Sequence, residues 1–151
     1  MRVRVDSIKN VRSIRMEQLY NFQKLDVYQF SKELVKVVYQ LLKLFPQEEK
    51  FALCDQLRRA VMSVPSNIAE GMAHSSPKER AYYLETSYGS LMEVVCQLEI
   101  SCELSYINKE QYESVNSQTK RIARMLSRLK EVTLNPQPHN SSTPNPNPST
   151  S

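Results

Sequence analysis

Residues 112–133, YESVNSQTKRIARMLSRLKEVT, decide the fold of this chain. Within them, residues suited to a packed seam recur at spacings of three and four without a break, at Tyr112, Val115, Thr119, Ile122, Leu126, Leu129 and Thr133. This pattern is typical of a helix in a bundle or a coiled coil. Asn108, with Gln111 three residues later, predicts the start of the helix, and Asn135-Pro136 predicts its end.

Three further helices are predicted upstream of this seam. The first extends from Asp26 to Leu44, the second from Gln47 to Gly71 with a kink at Pro65, and the third from a capping box at residues 76–79 to Leu104. Only 2 Gly residues are present, too few for a hairpin-rich β fold. Because the links between the segments are short, we predict an all-α fold, an antiparallel up-and-down four-helix bundle.

The two ends of the chain differ in composition from the middle. We predict a basic, partly disordered arm at residues 1–20, the bundle at 21–134, and a disordered Pro/Asn/Ser/Thr tail at 135–151. Residues 1–16 carry five basic side chains against one acidic, whereas residues 17–134 carry 15 of each sign. The arm is therefore expected to contact phosphates or an acidic surface. The alternatives are a solubilising extension, or a true start at Met16.

Enzymatic function is not expected from the residue types present. His74 and His139 have no Cys, Asp or Glu at metal-ligand spacing, and no Glu-x-x-His motif, Gly-rich phosphate loop or nucleophile elbow occurs. We predict no catalytic residues, no cofactor, no metal and no small-molecule substrate.

The cellular setting is predicted from cysteine usage and hydropathy. The three cysteines, Cys54, Cys96 and Cys102, are odd in number and lie in helical patterns, as expected for reduced thiols in the cytoplasm. No apolar run approaches the roughly 20 residues of a membrane span, so no membrane contact is expected.

A stripe of positive charge follows the side of the fourth helix opposite its seam. It consists of Lys120, Arg121, Arg124 and Arg128, and it is a candidate surface for nucleic-acid phosphates. Arg12 and Arg15 of the arm are candidates to act with it. The alternative is a solvated helix face whose charge stabilises the helix C-terminus.

Two helices carry more apolar surface than a lone bundle needs to bury. The first helix has a second apolar stripe that includes Tyr28, Val35 and Tyr39, and the third helix carries Ile100 and Leu104 away from its core stripe. We predict that these five residues form an interface between copies of the chain. The alternative is apolar residues scattered over the surface, which are common.

Residues 56–71, QLRRAVMSVPSNIAEG, place a polar stripe beside the kink at Pro65. A functional site is one interpretation. We favour a structural one, in which polar side chains pair with one another and with carbonyls that the proline leaves without a donor.

Several of these motifs together resemble a known family. They are Phe22 with residues 24–28 (KLDVY), Phe45-Pro46, residues 56–60 (QLRRA), residues 63–71 (SVPSNIAEG) and residues 89–93 (GSLME). Over residues 20–132 the chain is similar to the small four-helix-bundle proteins named for the intervening sequence of 23S ribosomal RNA.

The resemblance implies a cytosolic bacterial protein without enzymatic activity that assembles as a ring, typically a homopentamer. Distant relatives are accessory factors of reverse transcriptases in diversity-generating retroelements, where a basic ring contacts RNA and the polymerase. The resemblance therefore implies that structured RNA, or a protein such as a reverse transcriptase, is the partner. A scaffold for a protein partner, with no nucleic-acid role, is the alternative. The family's shared polar residues correspond to Arg59, Asn67, Glu70 and Glu93, which we interpret as a buried structural network.

Overall fold

The structure, a computed structural model, describes residues 20–138. These residues form four α-helices, named α1 (Asp26–Leu42), α2 (Leu53–Ala73), α3 (Pro77–Glu103) and α4 (Lys109–Leu134). Short 3₁₀ turns at Asn21–Lys24 and Gln47–Glu49 precede α1 and α2. The predicted all-α four-helix bundle is confirmed. Most of the predicted arm and tail lies outside the described residues.

The bundle closes around one core to which every helix contributes. α1 contacts α2 and α4, and α3 also contacts α2 and α4, so each helix has two neighbours. Fully buried side chains from the four helices meet at the centre, among them Leu34, Leu57, Leu91 and Ile122. Burial of each such side chain contributes about 1.5–3 kcal/mol, which makes this core the main source of stability.

The seam of residues 112–133 on α4 faces this core. Val115, Thr119, Ile122 and Leu126 are buried on α4, and the outer seam positions are half-buried. The predicted start of α4 is also confirmed, because Asn108 and Gln111 exchange two hydrogen bonds of 2.8 Å in a complete capping box.

The second helix begins later than predicted. α2 starts at Leu53 rather than Gln47, because the intervening residues form a 3₁₀ turn and a further turn. The Glu49 carboxylate accepts a hydrogen bond of 3.2 Å from the Leu53 backbone N–H and so occupies one free donor of the first helical turn. α1 ends at Leu42, two residues before the predicted end, where tighter turns lead into Pro46.

α2 continues without a break through Pro65, which is buried. Proline removes the N–H that would bind the carbonyl four residues earlier. The next three carbonyls of that turn each accept a side-chain hydrogen bond of 2.8–2.9 Å, from Ser66 to Met62, from Asn67 to Ser63 and from Ser87 of α3 to Val64. Side chains therefore reinforce the helix around the proline, with Ser66 and Asn67 donating from α2 itself and Ser87 from α3.

The link between α2 and α3 is short because the two helices approach closely there. A Cβ added to Gly71 would lie 2.8 Å from Cβ of Tyr83, so only glycine fits at this position. The Ser76 hydroxyl accepts from the Glu79 N–H at 3.4 Å, which confirms the N-cap half of the predicted capping box of α3. The Glu79 carboxylate lies 3.6 Å from Nδ1 of His74.

The described helices are each too short or too polar to cross a bilayer.

Candidate nucleic-acid interface

The predicted basic stripe lies on the outer side of α4, and we call it the α4 basic face. Its members, Lys120, Arg121, Arg124 and Arg128, are all exposed. Among residues 20–138, no carboxylate forms a salt bridge with any of them, whereas Lys109 and Lys130 of the same helix pair with Glu113 and Glu85. The positive charge of this face is therefore free for an external partner. Arg12 and Arg15, predicted to act with it, lie outside the described residues.

One arginine of this face lies over an aromatic ring. The Cζ atom of Arg121 lies 3.9 Å from the centroid of the Phe30 ring, which α1 supplies across the α1–α4 contact. Phe30 is half-buried and packs against the core, so the ring is a fixed platform. A guanidinium stacked on a ring gains a cation–π attraction and keeps its N–H donors in one plane.

An apolar hollow of about 250 Å³ lies along the same α1–α4 edge. Its apolar walls are formed by Leu25, Val27, Met125, Leu129 and Val132, and the charged side chains of Asp26 and Arg128 also line it. We call it the α1–α4 hollow. Arg121 and Arg128 are seven residues apart, about 10.5 Å along the helix, so the stacked arginine and the hollow are neighbours.

The predicted polar network is only partly assembled in the single chain. Asn67 is half-buried and donates hydrogen bonds of 2.8 Å to the Ser63 carbonyl and hydroxyl, and the Ser63 hydroxyl pairs with that of Ser90 on α3 at 2.8 Å. Arg59, Glu70 and Glu93, the other three predicted members, are exposed.

The prediction of one buried network of four residues is therefore wrong for the single chain. Arg59 and Glu70 are exposed on α2 and have no part in the hydrogen bonds that join Asn67 to Ser63 and Ser63 to Ser90 of α3. The Glu70 carboxylate instead acts on Tyr83, whose pKa it raises by its negative charge. Glu93 accepts a hydrogen bond of 3.1 Å from the Gln97 amide.

Gln97 is a polar residue in the α2–α3 contact that the sequence did not single out as buried. Its side chain is 7% exposed. The amide Nε2 donates to Glu93 and, at 3.3 Å, to Oε1 of Gln56 on α2, but the amide oxygen has no hydrogen-bond partner among residues 20–138. A buried acceptor without a donor lowers the free energy of unfolding. The contacts of Gln97 therefore specify how α2 and α3 align more than they stabilise the bundle.

The five residues predicted to form an interface divide between two surfaces. Tyr28 and Val35 help to line a groove of about 410 Å³ between α1 and α2, together with Phe22, Met62 and Pro65, and Tyr39 is half-buried on α1. Ile100 and Leu104 are 43% and 50% exposed on α3. We call these surfaces the α1–α2 groove and the α3 ridge.

The charged residues beside the two surfaces have opposite signs. Lys32 and Lys36 line the α1–α2 groove, and Glu99 and Glu103 are exposed next to the α3 ridge. Gly89 lies on the same side of α3, and a Cβ added there would meet no atom of the described residues within 4 Å. The ridge is therefore open to close approach by another backbone.

The described residues contain no cluster of His, Cys, Asp and Glu able to hold a metal ion. Burial raises the pKa of the Cys54 thiol, which makes it a poor nucleophile.

Comparison with known proteins identifies the family. A family model described as 23S rRNA-intervening sequence protein matches residues 23–128. The chain belongs to this family. The resemblance inferred from the sequence motifs is thus confirmed, and the matched range contains all four members of the α4 basic face.

A solved structure is also similar to this 23S rRNA-intervening sequence family member. It is a protein of unknown function from the S23 ribosomal protein family of Bacteroides thetaiotaomicron, at 27% sequence identity and a TM-score of 0.65. The similarity covers 70% of this chain and 98% of that one. No curated protein matches the sequence significantly.

Sequence reasoning placed the cations of this family member but missed what surrounds them. Phe30 lies between Val27 and Leu34 on the first helix, and nothing in this spacing shows that its ring faces Arg121. The α1–α4 hollow depends on how two helices distant in sequence pack together.

Proposed function

We propose that this protein is a non-enzymatic, homo-oligomeric helical-bundle module that binds structured RNA through the α4 basic face. The observation that carries the proposal is the set of four exposed cations on α4 that have no carboxylate partner among residues 20–138. The body of the protein, residues 17–134, is balanced in charge when these four cations are included. Concentrated, unpaired cations on one helix face favour a polyanion over a neutral partner.

Assembly multiplies this face. The α1–α2 groove and the α3 ridge are two different apolar surfaces with opposite charges at their edges, so one copy can offer its ridge to the groove of the next. A contact between unlike surfaces is heterologous and closes into a ring when the rotation between copies permits. The family resemblance supports five copies. A ring of this kind repeats the α4 basic face around its axis, which strengthens binding to an extended RNA by multivalency.

Salt-dependent binding tests the RNA-binding part. The probe is a fluorescently labelled RNA hairpin, measured by anisotropy over a series of KCl concentrations. Binding should weaken steeply as salt rises, and the triple change of Arg121, Arg124 and Arg128 to Ser should lower the salt slope by about one for each phosphate contact removed.

A matched control keeps the same net charge but alters other surfaces. Arg59, Lys78 and Lys109 are also exposed cations, and changing these three to Ser should leave the affinity close to that of the wild type. Equal losses in the two triple variants, or no salt dependence, would refute a role for the α4 basic face. Retained capture of a protein partner by an RNA-inactive variant would support the scaffold alternative, including a polymerase partner.

Assembly is tested separately by sedimentation velocity. Ile100→Glu and Leu104→Glu place charges on the α3 ridge and should reduce the assembly to single copies of 17.5 kDa while circular dichroism stays helical. Leu134→Glu changes a similarly exposed apolar residue at the end of α4 and should leave the assembly intact. A wild-type protein that sediments as one copy at every concentration would contradict the proposed assembly.

A further inference from the structure

Arg121 lies over the Phe30 ring and presents its guanidinium to solvent. The Cζ atom is 3.9 Å from the ring centroid, and the side chain is exposed. No carboxylate among residues 20–138 forms a salt bridge with it. A phosphate needs only a positive charge, which Lys120 or Arg124 can supply, whereas a held guanidinium plane can also stack with a second flat group.

The α1–α4 hollow continues this surface with different chemistry. Its walls are apolar, and the charged side chains that line it are Asp26 and Arg128. The Asp26 carboxylate repels a phosphate placed in the hollow but accepts hydrogen bonds from amino or imino groups. The hollow therefore suits a flat, uncharged ring with polar edges better than it suits an anion.

Cations continue along the outer side of the same edge. Arg124 and Arg128 follow Arg121 by about 4.5 and 10.5 Å along α4, at the rise of an α-helix. A stacking plane, an apolar hollow and a row of cations thus lie side by side. Proteins that bind single-stranded nucleic acids combine these features, because unpaired bases stack on aromatic rings and arginine planes while cations contact the backbone.

We infer that the α1–α4 edge binds an unpaired segment of RNA, with one base stacked on the outer face of Arg121 and a neighbouring base in the α1–α4 hollow. Arg124 and Arg128 contact the phosphates of the same segment. This inference rests on the proposed RNA-binding function and specifies which part of a structured RNA is bound. Fully paired duplex RNA hides its base faces and can use only the charges.

The α1–α4 edge lies away from the surface of α1 that is proposed for assembly, so it stays accessible in a ring. Phe30 and Val35 are five residues apart on α1, which at about 100° per residue places them about 140° apart around the helix. The α1–α2 groove proposed for assembly is therefore on the other side of α1. Binding of RNA at the α1–α4 edge and contact between copies do not compete for the same side chains.

Two RNA probes of equal charge test the inference by fluorescence anisotropy. One is a hairpin with an unpaired loop of about ten nucleotides, and the other is a fully paired duplex with the same number of phosphates. The wild type should bind the looped hairpin at least about tenfold more tightly than the duplex, because stacking adds to the phosphate contacts. A 2-aminopurine base in the loop should lose fluorescence on binding as it stacks.

Charge-conserving variants separate stacking from charge. Arg121→Lys keeps the positive charge but removes the plane, and Phe30→Leu keeps an apolar side chain but removes the ring that holds the plane. Both should lose the preference for the looped hairpin and the quenching of 2-aminopurine, and any loss of affinity for the duplex should be smaller. Arg59→Lys is the matched control, since Arg59 is exposed on α2, outside the α4 basic face, and the preference should remain.

The outcomes distinguish this inference from the proposed function. If the wild type binds both probes equally and Arg121→Lys has no effect, the unpaired-RNA inference is wrong while RNA binding through charge stands. If neither probe binds at low salt, the proposed function and the inference both fail. Circular dichroism checks the fold of Phe30→Leu. If Phe30→Leu is unstable, Arg121→Lys still tests the inference, because Arg121 is exposed and its replacement leaves the core unchanged.

Discussion

The Tyr106 hydroxyl donates a hydrogen bond of 3.0 Å to Oε1 of Glu49, and this bond joins the two links at one end of the bundle. The other oxygen of the same carboxylate accepts from the backbone N–H of Leu53, the first residue of α2. Glu49 therefore ties the start of α2 to the link between α3 and α4. The rings of Tyr106 and Phe45 also pack, with centroids 5.4 Å apart.

Replacing Tyr106 by Phe should lower stability in a pH-dependent way. The hydrogen bond to Glu49, with a contribution from burial, raises the pKa of Tyr106. A group whose pKa is raised by folding stabilises the native state fully below its ordinary pKa of about 10 and loses that effect as pH rises through the higher folded pKa. The difference in melting temperature between wild type and Tyr106→Phe should thus be constant below about pH 10 and shrink above it.

Tyr88→Phe serves as the control for this measurement. Tyr88 is exposed on α3, and its hydroxyl has no hydrogen-bond partner in the described part of the chain. Its replacement should change the melting temperature little at any pH. A Tyr106→Phe difference that persists unchanged into strong alkali would show that lost ring packing, and not the bond to Glu49, accounts for it.

A strained residue sets the direction of the chain just before Tyr106. Ser105 has φ of 62°, in the left-handed region that favours glycine. The backbone N–H groups of Ser105 and Tyr106 bind the carbonyls of Cys102 and Ser101 in the pattern of a Schellman motif. Ser105→Gly should therefore stabilise the protein by about 0.5–1 kcal/mol in urea unfolding, because it removes the strain at φ above zero.

Ser105→Ala is the matched change at the same position. Alanine also lacks the hydroxyl but keeps the Cβ that the left-handed conformation disfavours. It should give no gain in the free energy of unfolding. Equal stabilisation by Ala and Gly would mean that the hydroxyl, not the backbone conformation, is unfavourable.

The fold could be predicted because its determinants are local. The three-and-four spacing on α4, the Asn108 and Gln111 capping box and the N-cap at Ser76 depend on residues a few positions apart, and each is confirmed. The predicted start of α2 was wrong because it depends on the Glu49 side chain, which is held by a contact with Tyr106, 57 residues later in the chain. Ser105 gave no signal, since serine does not favour the left-handed region.

The candidate site also has a part that local sequence predicts and a part that depends on distant residues. The four cations of the α4 basic face follow from helical geometry alone, and the structure leaves them exposed and without salt bridges among the described residues. The platform under Arg121 comes from α1, about 90 residues earlier in the chain, and no helical period relates the two. The exposure of Arg59, Glu70 and Glu93 could not be predicted either, because the sequence does not show whether another helix packs over a polar position.

The two glycines should respond oppositely to alanine. Gly71 is buried where α2 meets α3, and an added Cβ would lie 2.8 Å from Cβ of Tyr83, which cannot rotate away. Gly71→Ala should cost about 1–3 kcal/mol in unfolding free energy. Gly89 is open, so Gly89→Ala in a single copy should stabilise α3 by up to about 1 kcal/mol through helix propensity. A neutral Gly71→Ala would show that the two helices separate without penalty.

Gln97 is expected to be replaceable by an apolar side chain of similar length. Its buried amide oxygen has no donor, and its Nε2 partners, Gln56 and Glu93, are exposed and can turn to water. Gln97→Met should be neutral or stabilising by up to about 1 kcal/mol. Ser87→Ala is the contrast, because the fully buried Ser87 hydroxyl donates to Val64 at 2.8 Å, and its loss should cost about 0.5–1.5 kcal/mol. A destabilised Gln97→Met would indicate that the amide contacts matter more than the unpaired oxygen.

The three cysteines should report both the fold and the assembly through their rates of alkylation. Cys96 is exposed on α3, Cys102 is half-buried and Cys54 is buried with a raised pKa, caused first by burial. Because the thiolate reacts, iodoacetamide at about pH 8 should modify Cys96 first and Cys54 last.

The same rates test the α3 ridge. Cys96 lies one helical turn before Ile100, on the surface proposed to meet a second copy. Its alkylation should slow as protein concentration rises, whereas that of Cys102 and Cys54 should change less, as measured by mass spectrometry of digests. In Ile100→Glu the dependence on concentration should vanish, because the charge opposes the contact without unfolding α3. If Cys96 in the wild type reacts at one rate from dilute to concentrated solution, the ridge stays open and copies of the chain do not meet there.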